Sequence, residues 1–203
     1  MEAFTKEFCD TLLAKSQELE KISSIEFVPV VAKRSDSYFD FRVQLALVAA
    51  LCAALGDAAY SSRWIEAALV ASLAFAAIFA LVSIPQILKL VLPAALAREA
   101  VIDRADSTFL HEEVFATRAR TGVLIFVSLF EKEVFVIGDK GLLPFVKDDY
   151  WHTLGRTLAH DFKSKNPGLS FIRALEQLIK DVAPHFPAGA DNPNELSDEL
   201  RRR

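Results

Sequence analysis

Glycine, proline, cysteine and surplus positive charge are all scarce in this sequence, and each scarcity excludes something. Seven Gly and eight Pro among 203 residues leave no room for a collagen-like or low-complexity architecture. The two cysteines, Cys9 and Cys52, cannot build a disulfide framework, and without a Cys-x-x-Cys pair or a Cys/His cluster there is no zinc site of the usual spacing. The net charge of −4 is opposite in sign to the surplus that holds nucleic acid, so no nucleic-acid partner is expected. No Walker motif or GxGxxG occurs, so no nucleotide is expected either. There is no GxSxG, and neither cysteine is placed for activation. Apolar residues are what the chain has in quantity. A content of 52% hydrophobic against 25% charged residues excludes disorder for most of the length and suits one ordinary domain with something to spare.

Charge is distributed unevenly along the chain. Between residues 43 and 88 the only charged side chains are Asp57, Arg63 and Glu66, and they divide two apolar runs, 43–56 and 67–88. A bilayer core takes roughly 20 apolar residues per helix. The second run meets that length, with Pro85 near its end. The first reaches it by extending to Ser62, with Asp57 near the far interface and Arg42 snorkelling at the near one. A buried hairpin in a soluble protein is the alternative, but such a hairpin carries a polar stripe and these runs have none. The expected element is a two-helix transmembrane hairpin over 42–93. Ala49/Ala53 and Ala67/Ala71 would let its helices approach closely.

Basic residues orient it. Lys33, Arg34 and Arg42 precede the hairpin, Lys89, Arg98 and Arg104 follow it, and the turn holds only Arg63. That asymmetry puts both termini and the folded part on the cytoplasmic side of the cell membrane. The opening Met-Glu-Ala-Phe-Thr-Lys has no apolar core, so it does not read as a signal peptide.

Flanking segments have the periods of helices and strands. Phe4, Phe8, Leu12, Leu19 and Ile22 predict a helix over 3–22, and residues 25–32 predict a strand, placed at an edge or bulge by Pro29. Beyond the hairpin, a helix is expected over 96–118, with Val101, Ala105 and Phe109 on one stripe. Residues 122–130 read as a central strand covered on both faces, joined by a tight Glu131-Lys132 turn to a strand over 133–138. Trp151, Leu154, Leu158 and Phe162 predict a helix broken at Asn166-Pro-Gly, and Phe171, Leu175, Leu178 and Val182 predict another. The tail, 187–203, reads as polar and mobile. Since a lone strand makes no sheet, the first strand should pair with those after the hairpin. The expected class is therefore α/β: a sandwich with a small mixed sheet, its halves 1–41 and 94–186, interrupted by the membrane hairpin. The end of the first strand and the start of the next helix would then both face the bilayer.

The stretch FLHEEVFATRARTGVLIFVSLFEKEVFVIGDKGL, residues 109–142, resembles the TPM domain family, most specifically through Thr117–Ile125. The front phrase IEFVPVVAKRSDSY and the tail phrase Asn194-Glu-Leu after His185-Phe-Pro187 are similar to the same family. The resemblance is to the bacterial type with a membrane segment in or beside the domain, and covers most of the chain outside the hairpin. It implies an α/β sandwich with a mixed sheet and an accessory role at a membrane. Across the family that role runs from photosystem II repair to weak acid phosphatase activity and receptor modulation. Some members bind divalent cations at the strand ends. Many lie outside the cytoplasm behind a signal peptide, a pattern from which this chain departs.

By that resemblance Asp139, following the last strand, matches a polar position where carboxylates face a metal. Asp36 follows the first strand, so the two would gather at one sheet edge and bind calcium or magnesium, with Ser35, Ser37 or turn carbonyls completing the oxygen ligands. Ordinary turn chemistry alone accounts for both positions and is the preferred reading. His111-Glu112-Glu113 lacks the second His of a zinc helix, because position 115 is Phe, and reads as a solvated helix face. Arg118 and Arg120 could hold an anionic group or lipid phosphate, or pair with Glu112 or Glu113. His152 and His160 belong to no nucleophile constellation, His160 pointing away from the core. Phe8, Phe109 and Phe162 are core at helical spacing.

The expected function is an accessory or interaction module held on the cytoplasmic face, with the lipid bilayer and a membrane protein as partners. A weak metal-dependent phosphatase, or a divalent-cation-binding module without turnover, is the alternative. In the hydrolase, metal would polarise a phosphoryl oxygen and acidify a bound water.

Overall fold

Parallel strands need a long crossover between them, and here that crossover contains the apolar segment. Strand β1, Glu26–Ala32, pairs in parallel with β2, Gly122–Ser128, from Glu26 opposite Gly122 to Ala32 opposite Ser128. A computed structural model of the chain describes residues 5–60, 63–146, 148–164, 167–189, 194–197 and 199–202, with backbone alone at 148, 161, 163, 164, 167 and 168. It contains two compact units, Met1–Ser35 with Ala97–Arg203, and Asp36–Leu96.

The first unit is a mixed sheet between helices. Strand β3, Glu133–Gly138, runs antiparallel to β2, and β4, Arg201–Arg202, lies parallel to β1 at Val30 and Val31, giving the order β3-β2-β1-β4. Successive side chains on a strand point to opposite faces, and two separate cores result. Phe27, Val31, Val123, Ile125, Val127, Val134 and Val136 face helices α1 (Lys6–Ile22), α6 (Asp148–Ser164) and α7 (Pro167–Asp181). Val28, Val30, Ala32, Leu124 and Phe126 face Val101 and Ala105 of α5, Ala94–His111. Every residue of β1 and β2 is buried, as expected of strands covered on both sides. Pro29 pairs with β2 only, just short of the two residues that β4 covers. That is where a missing N–H is tolerated.

Several boundaries differ from the sequence reading. The helix expected over 96–118 stops at His111: Glu113 takes a left-handed φ of 53°, and Val114–Ala116 form a separate 3-10 turn. That break seats Val114 against the start of β2, where a Cβ on Gly122 would lie 2.1 Å from its carbonyl oxygen. The strand over 122–130 ends at Ser128, so the β2–β3 connection is four residues, with Lys132 at φ 56°. In α1, Thr5 caps the N-terminus by accepting from Phe8 N at 3.2 Å and Leu12 and Leu19 are buried, but Ile22 is 49% exposed. The chain turns away there, Ser23 bridging to Pro187 and donating its hydroxyl to Phe186 O at 2.7 Å. Phe4 and Asn166 lie outside the described residues.

Helix α6 buries the stripe expected of it, Trp151, Leu154, Leu158 and Phe162, and α7 buries Phe171, Leu175 and Leu178, with Val182 buried just past its end. A Cβ on Gly138 would fall 2.3 Å from Trp151 Cζ2, so the strand can end under the indole only as glycine. Gly138→Ala should lower stability by about 1–3 kcal/mol through overpacking, read as a lower urea midpoint at unchanged slope. Tyr150 donates to Asp181 Oδ2 at 3.3 Å, and burial, then the Asp181 charge, push its pKa far above the ordinary tyrosine value. The unfolded chain therefore releases this proton first, near the ordinary value of about 10. Tyr150's contribution is intact below that pH and is lost as pH rises toward its folded value. Unfolding curves between pH 8 and 11 should steepen in their pH dependence above about 10, and Tyr150→Phe should flatten them.

The second unit is a helical hairpin with a short addition. Helix α2, Phe39–Ala58, packs on α3, Trp64–Val82. At 1.5 Å per residue each is about 28–30 Å long, the thickness of a bilayer's hydrocarbon core. Both are long and apolar enough to cross a membrane. Ala46 and Val82 are their only fully buried residues, while Leu47, Leu51, Leu55, Leu69 and Leu73 face outward. Ala49, Ala53, Ala67 and Ala71 lie half-buried beside the buried Ala46, a spacing of three to four that marks the helix–helix seam. At its open end Arg42 donates to Ser83 Oγ at 3.2 Å and lies 5.5 Å over the Phe79 ring. At the turn Arg63 pairs with Glu66 at 2.7 Å. The second run is not one helix: Pro85 opens a separate helix α4, Pro85–Val91, at the first helical position it favours.

Candidate functional site

Polar side chains concentrate where β1 and β2 begin and β3 ends. The 117–122 loop is tied by Thr117, whose Oγ1 accepts Thr121 N at 3.0 Å, and by Thr121, whose hydroxyl donates to Ser24 O at 2.5 Å. This turns Arg120 into a left-handed φ of 58° and aims its guanidinium at Asp139. Nε donates to Oδ2 at 2.6 Å and Nη2 to Oδ1 at 3.0 Å, while Lys140 N donates to Oδ1 at 2.7 Å. The Asp139 side chain is 5% exposed and that of Arg120 38%. The Phe115 ring lies 5.5 Å from the guanidinium carbon. The Asp139 carboxylate, as hydrogen-bond partner, holds the Arg120 pKa above its ordinary value, with burial opposing. Gly141 closes the loop by donating to Arg120 O at 2.9 Å. A Cβ there would meet Ala119 O at 2.3 Å and Arg120 O at 2.5 Å, which explains the glycine of Asp-Lys-Gly.

The C-terminal segment docks at the same end. Glu26, buried at the first position of β1, accepts Glu195 N at 3.3 Å and Leu196 N at 3.2 Å. Glu195 in turn accepts Arg118 N at 2.8 Å and pairs with Arg118 Nε at 3.1 Å. Asn194 donates to Glu20 at 3.3 Å, and Arg201 pairs with Glu112 at 2.8 Å. Leu196 packs on the α5-side core. The described part of the tail is therefore bound to the domain, correcting its reading as a mobile end. The Glu26 carboxylate thereby satisfies two backbone N–H groups of the tail where β4 does not reach.

These contacts revise the residue assignments. Arg118 pairs with Glu195 and Arg120 with Asp139. Glu112 is not on a solvated helix face, since it lies past the end of α5 against Arg201. The strand that Asp36 follows leaves the sheet beside Ser128, whereas Asp139 follows Gly138, which pairs with Val123 at the other end. Strand register therefore places their two attachment points five residues apart along the sheet, about 17 Å at about 3.3 Å per residue, and they do not follow the same end of the sheet. Asp36 accepts Ser37 N at 2.6 Å in a local turn. Ser35 is engaged elsewhere, its N–H on Glu131 at 3.1 Å and its hydroxyl 3.0 Å from that of Ser128, which donates to Glu131. Among the described residues no three His, Cys, Asp or Glu side chains gather in a way that could hold a metal ion. His152 and His160 are exposed, with the His152 ring 6.1 Å from that of Phe135.

An Arg–carboxylate pair whose two oxygens are both engaged fixes a loop rather than presenting a free base. Asp139→Ala should therefore act on stability: the urea midpoint should fall clearly, Asp139→Asn should recover much of the loss, and an unchanged midpoint would contradict the pairing. Neither Glu26 nor Glu195 stood out in the sequence. The signal available was that the front, central and tail phrases, singled out separately, each bring a charged residue to this one place.

Among solved structures, the chain is similar to the NMR structure of the BA42 protein from the psychrophilic bacterium Bizionia argentinensis sp. nov. The TM-score is 0.60 at 20% sequence identity, covering 98% of this chain and 95% of that one. At this identity the likeness shows the fold alone. No protein-family model matches the chain, and no curated protein matches it significantly.

Proposed function

We propose that the chain is a membrane-anchored domain of TPM type that serves as an accessory or interaction module on the cytoplasmic face, with a membrane protein as its partner. One observation carries this reading: two consecutive helices of spanning length turn large apolar side chains outward along their whole length. In water that surface would favour aggregation, and in a bilayer it is matched to its solvent. The basic residues flanking the open end supply the orientation. At the polar end of the sheet, ion pairs within the domain fix the tail and the 117–122 loop in place. No observation favours the phosphatase reading, since Asp139 is occupied by Arg120 and Lys140.

The test is photo-crosslinking in native membranes with a photoreactive phenylalanine in place of Phe145, which is exposed and stacked on His185. A discrete adduct with a membrane protein supports the module; adducts with lipid or with the chain itself alone argue against it. In parallel, hydrolysis of a generic phosphomonoester with calcium, magnesium or manganese should not differ between the parent and Asp139→Ala proteins. Metal-dependent turnover lost in Asp139→Ala would restore the hydrolase.

A further inference from the structure

We infer that helix α4 is an in-plane membrane segment, lying at the headgroup–acyl boundary of the leaflet where α3 ends. The inference rests on the anchored reading above and adds a second mode of attachment to it. Helix α3 uses about 28 Å of rise by Val82, enough to cross the hydrocarbon. Helix α4 starts at Pro85, within one turn of that boundary, and its seven residues span only about 10 Å, too short to cross again.

Its residues sort by face. Ile84, Ile87, Leu88 and Val91 recur at spacings of three and four, Gln86 and Lys89 occupy the opposite side, and Leu90 lies at the margin between Ile87 and Gln86. Leu88 is buried and Ile87 half-buried, whereas Ile84 is 44%, Val91 40% and Leu90 85% exposed. The occupant that fits these exposed side chains is the bilayer surface. They continue the outward apolar surface of α3 through Leu81 and Ile84, and a polar side with one basic residue suits the headgroup layer, anionic lipid included.

Nitroxide accessibility in vesicles of zwitterionic and anionic phospholipid tests this on the full chain. Cys52, exposed on α2, reports the hairpin once Cys9→Ser removes the other thiol. In Cys9→Ser/Cys52→Ser chains, Val91→Cys and Gln86→Cys, five residues and so about 140° apart around the helix, report the two sides of α4. The expected result is a deep, oxygen-rich label at 52. Position 91 should be shallower but still favour oxygen several-fold over a water-soluble nickel chelate, and position 86 should be open to the chelate. A label at 91 as open to chelate as the one at 86, with 52 deep, overturns the α4 inference and spares the hairpin. A label at 91 shielded from both reagents means that protein covers the site, and also overturns it. An aqueous label at 52 removes the hairpin reading and this inference together.

Discussion

Glu26→Ala is expected to cost about 2–4 kcal/mol and to release the C-terminal segment. The carboxylate accepts Glu195 N and Leu196 N from a site 3% exposed. Hydrogen bonds to a charged group contribute roughly 1.5–3 kcal/mol each, and removing a buried acceptor strands its donors. Release should be visible as faster tryptic cleavage at Arg201 and Arg202, because β4 holds those residues against Val30 and Val31. Glu26→Gln keeps one acceptor oxygen and should show a smaller loss. A cleavage rate unchanged in Glu26→Ala would show that Leu196 and the Arg201–Glu112 pair hold the segment without the carboxylate.

Leu73→Arg should shift the balance between inserted and non-inserted chain by about 3 kcal/mol, on the order of 100-fold. Leu73 lies midway along α3 and faces outward, so it occupies the centre of the hydrocarbon if the hairpin spans. On a water-facing surface the same substitution would be nearly neutral in stability and would favour solubility. The fraction of chain retained by carbonate-washed membranes separates the two: a marked fall is expected, and unchanged retention would argue against a spanning α3.

The α/β frame was legible because period alone decides it. Continuous apolar runs in β1 and β2 and the tight turn into β3 identify strands, and the stripes at Trp151–Phe162 and Phe171–Val182 identify helices. The need for a sheet partner then joins residues separated by the hairpin. What period cannot show is where a regular pattern is interrupted for tertiary reasons. Helix α5 ends at His111 because Val114 must meet Gly122, and no local residue signals that contact. Helix α4 was hidden inside an apolar run, although Pro85 marked its start.

Charge pairing was the least legible. Helix spacing offered only the nearby Glu112 and Glu113 to Arg118 and Arg120, whereas Glu195 in the tail and Asp139 after β3 also meet them. Such pairings depend on which strand ends coincide. The same register separates Asp36 from Asp139, since β1 and β2 run parallel and β3 returns. The tail read as mobile because it is polar, but its polar groups are what bind it: Glu195, Asn194 and Arg201 each meet a partner in the domain.

The spanning topology is tested most directly at the tip of the hairpin. Tyr60, 96% exposed, follows the end of α2 and can be replaced by Cys in a chain carrying Cys9→Ser and Cys52→Ser. A membrane-impermeant maleimide added to intact bacterial spheroplasts should label this Cys at position 60 without lysis. In a Cys52→Ser chain it should reach Cys9, on the α/β unit, only after lysis. A tip protected until lysis, or Cys9 labelled from outside, would contradict the account.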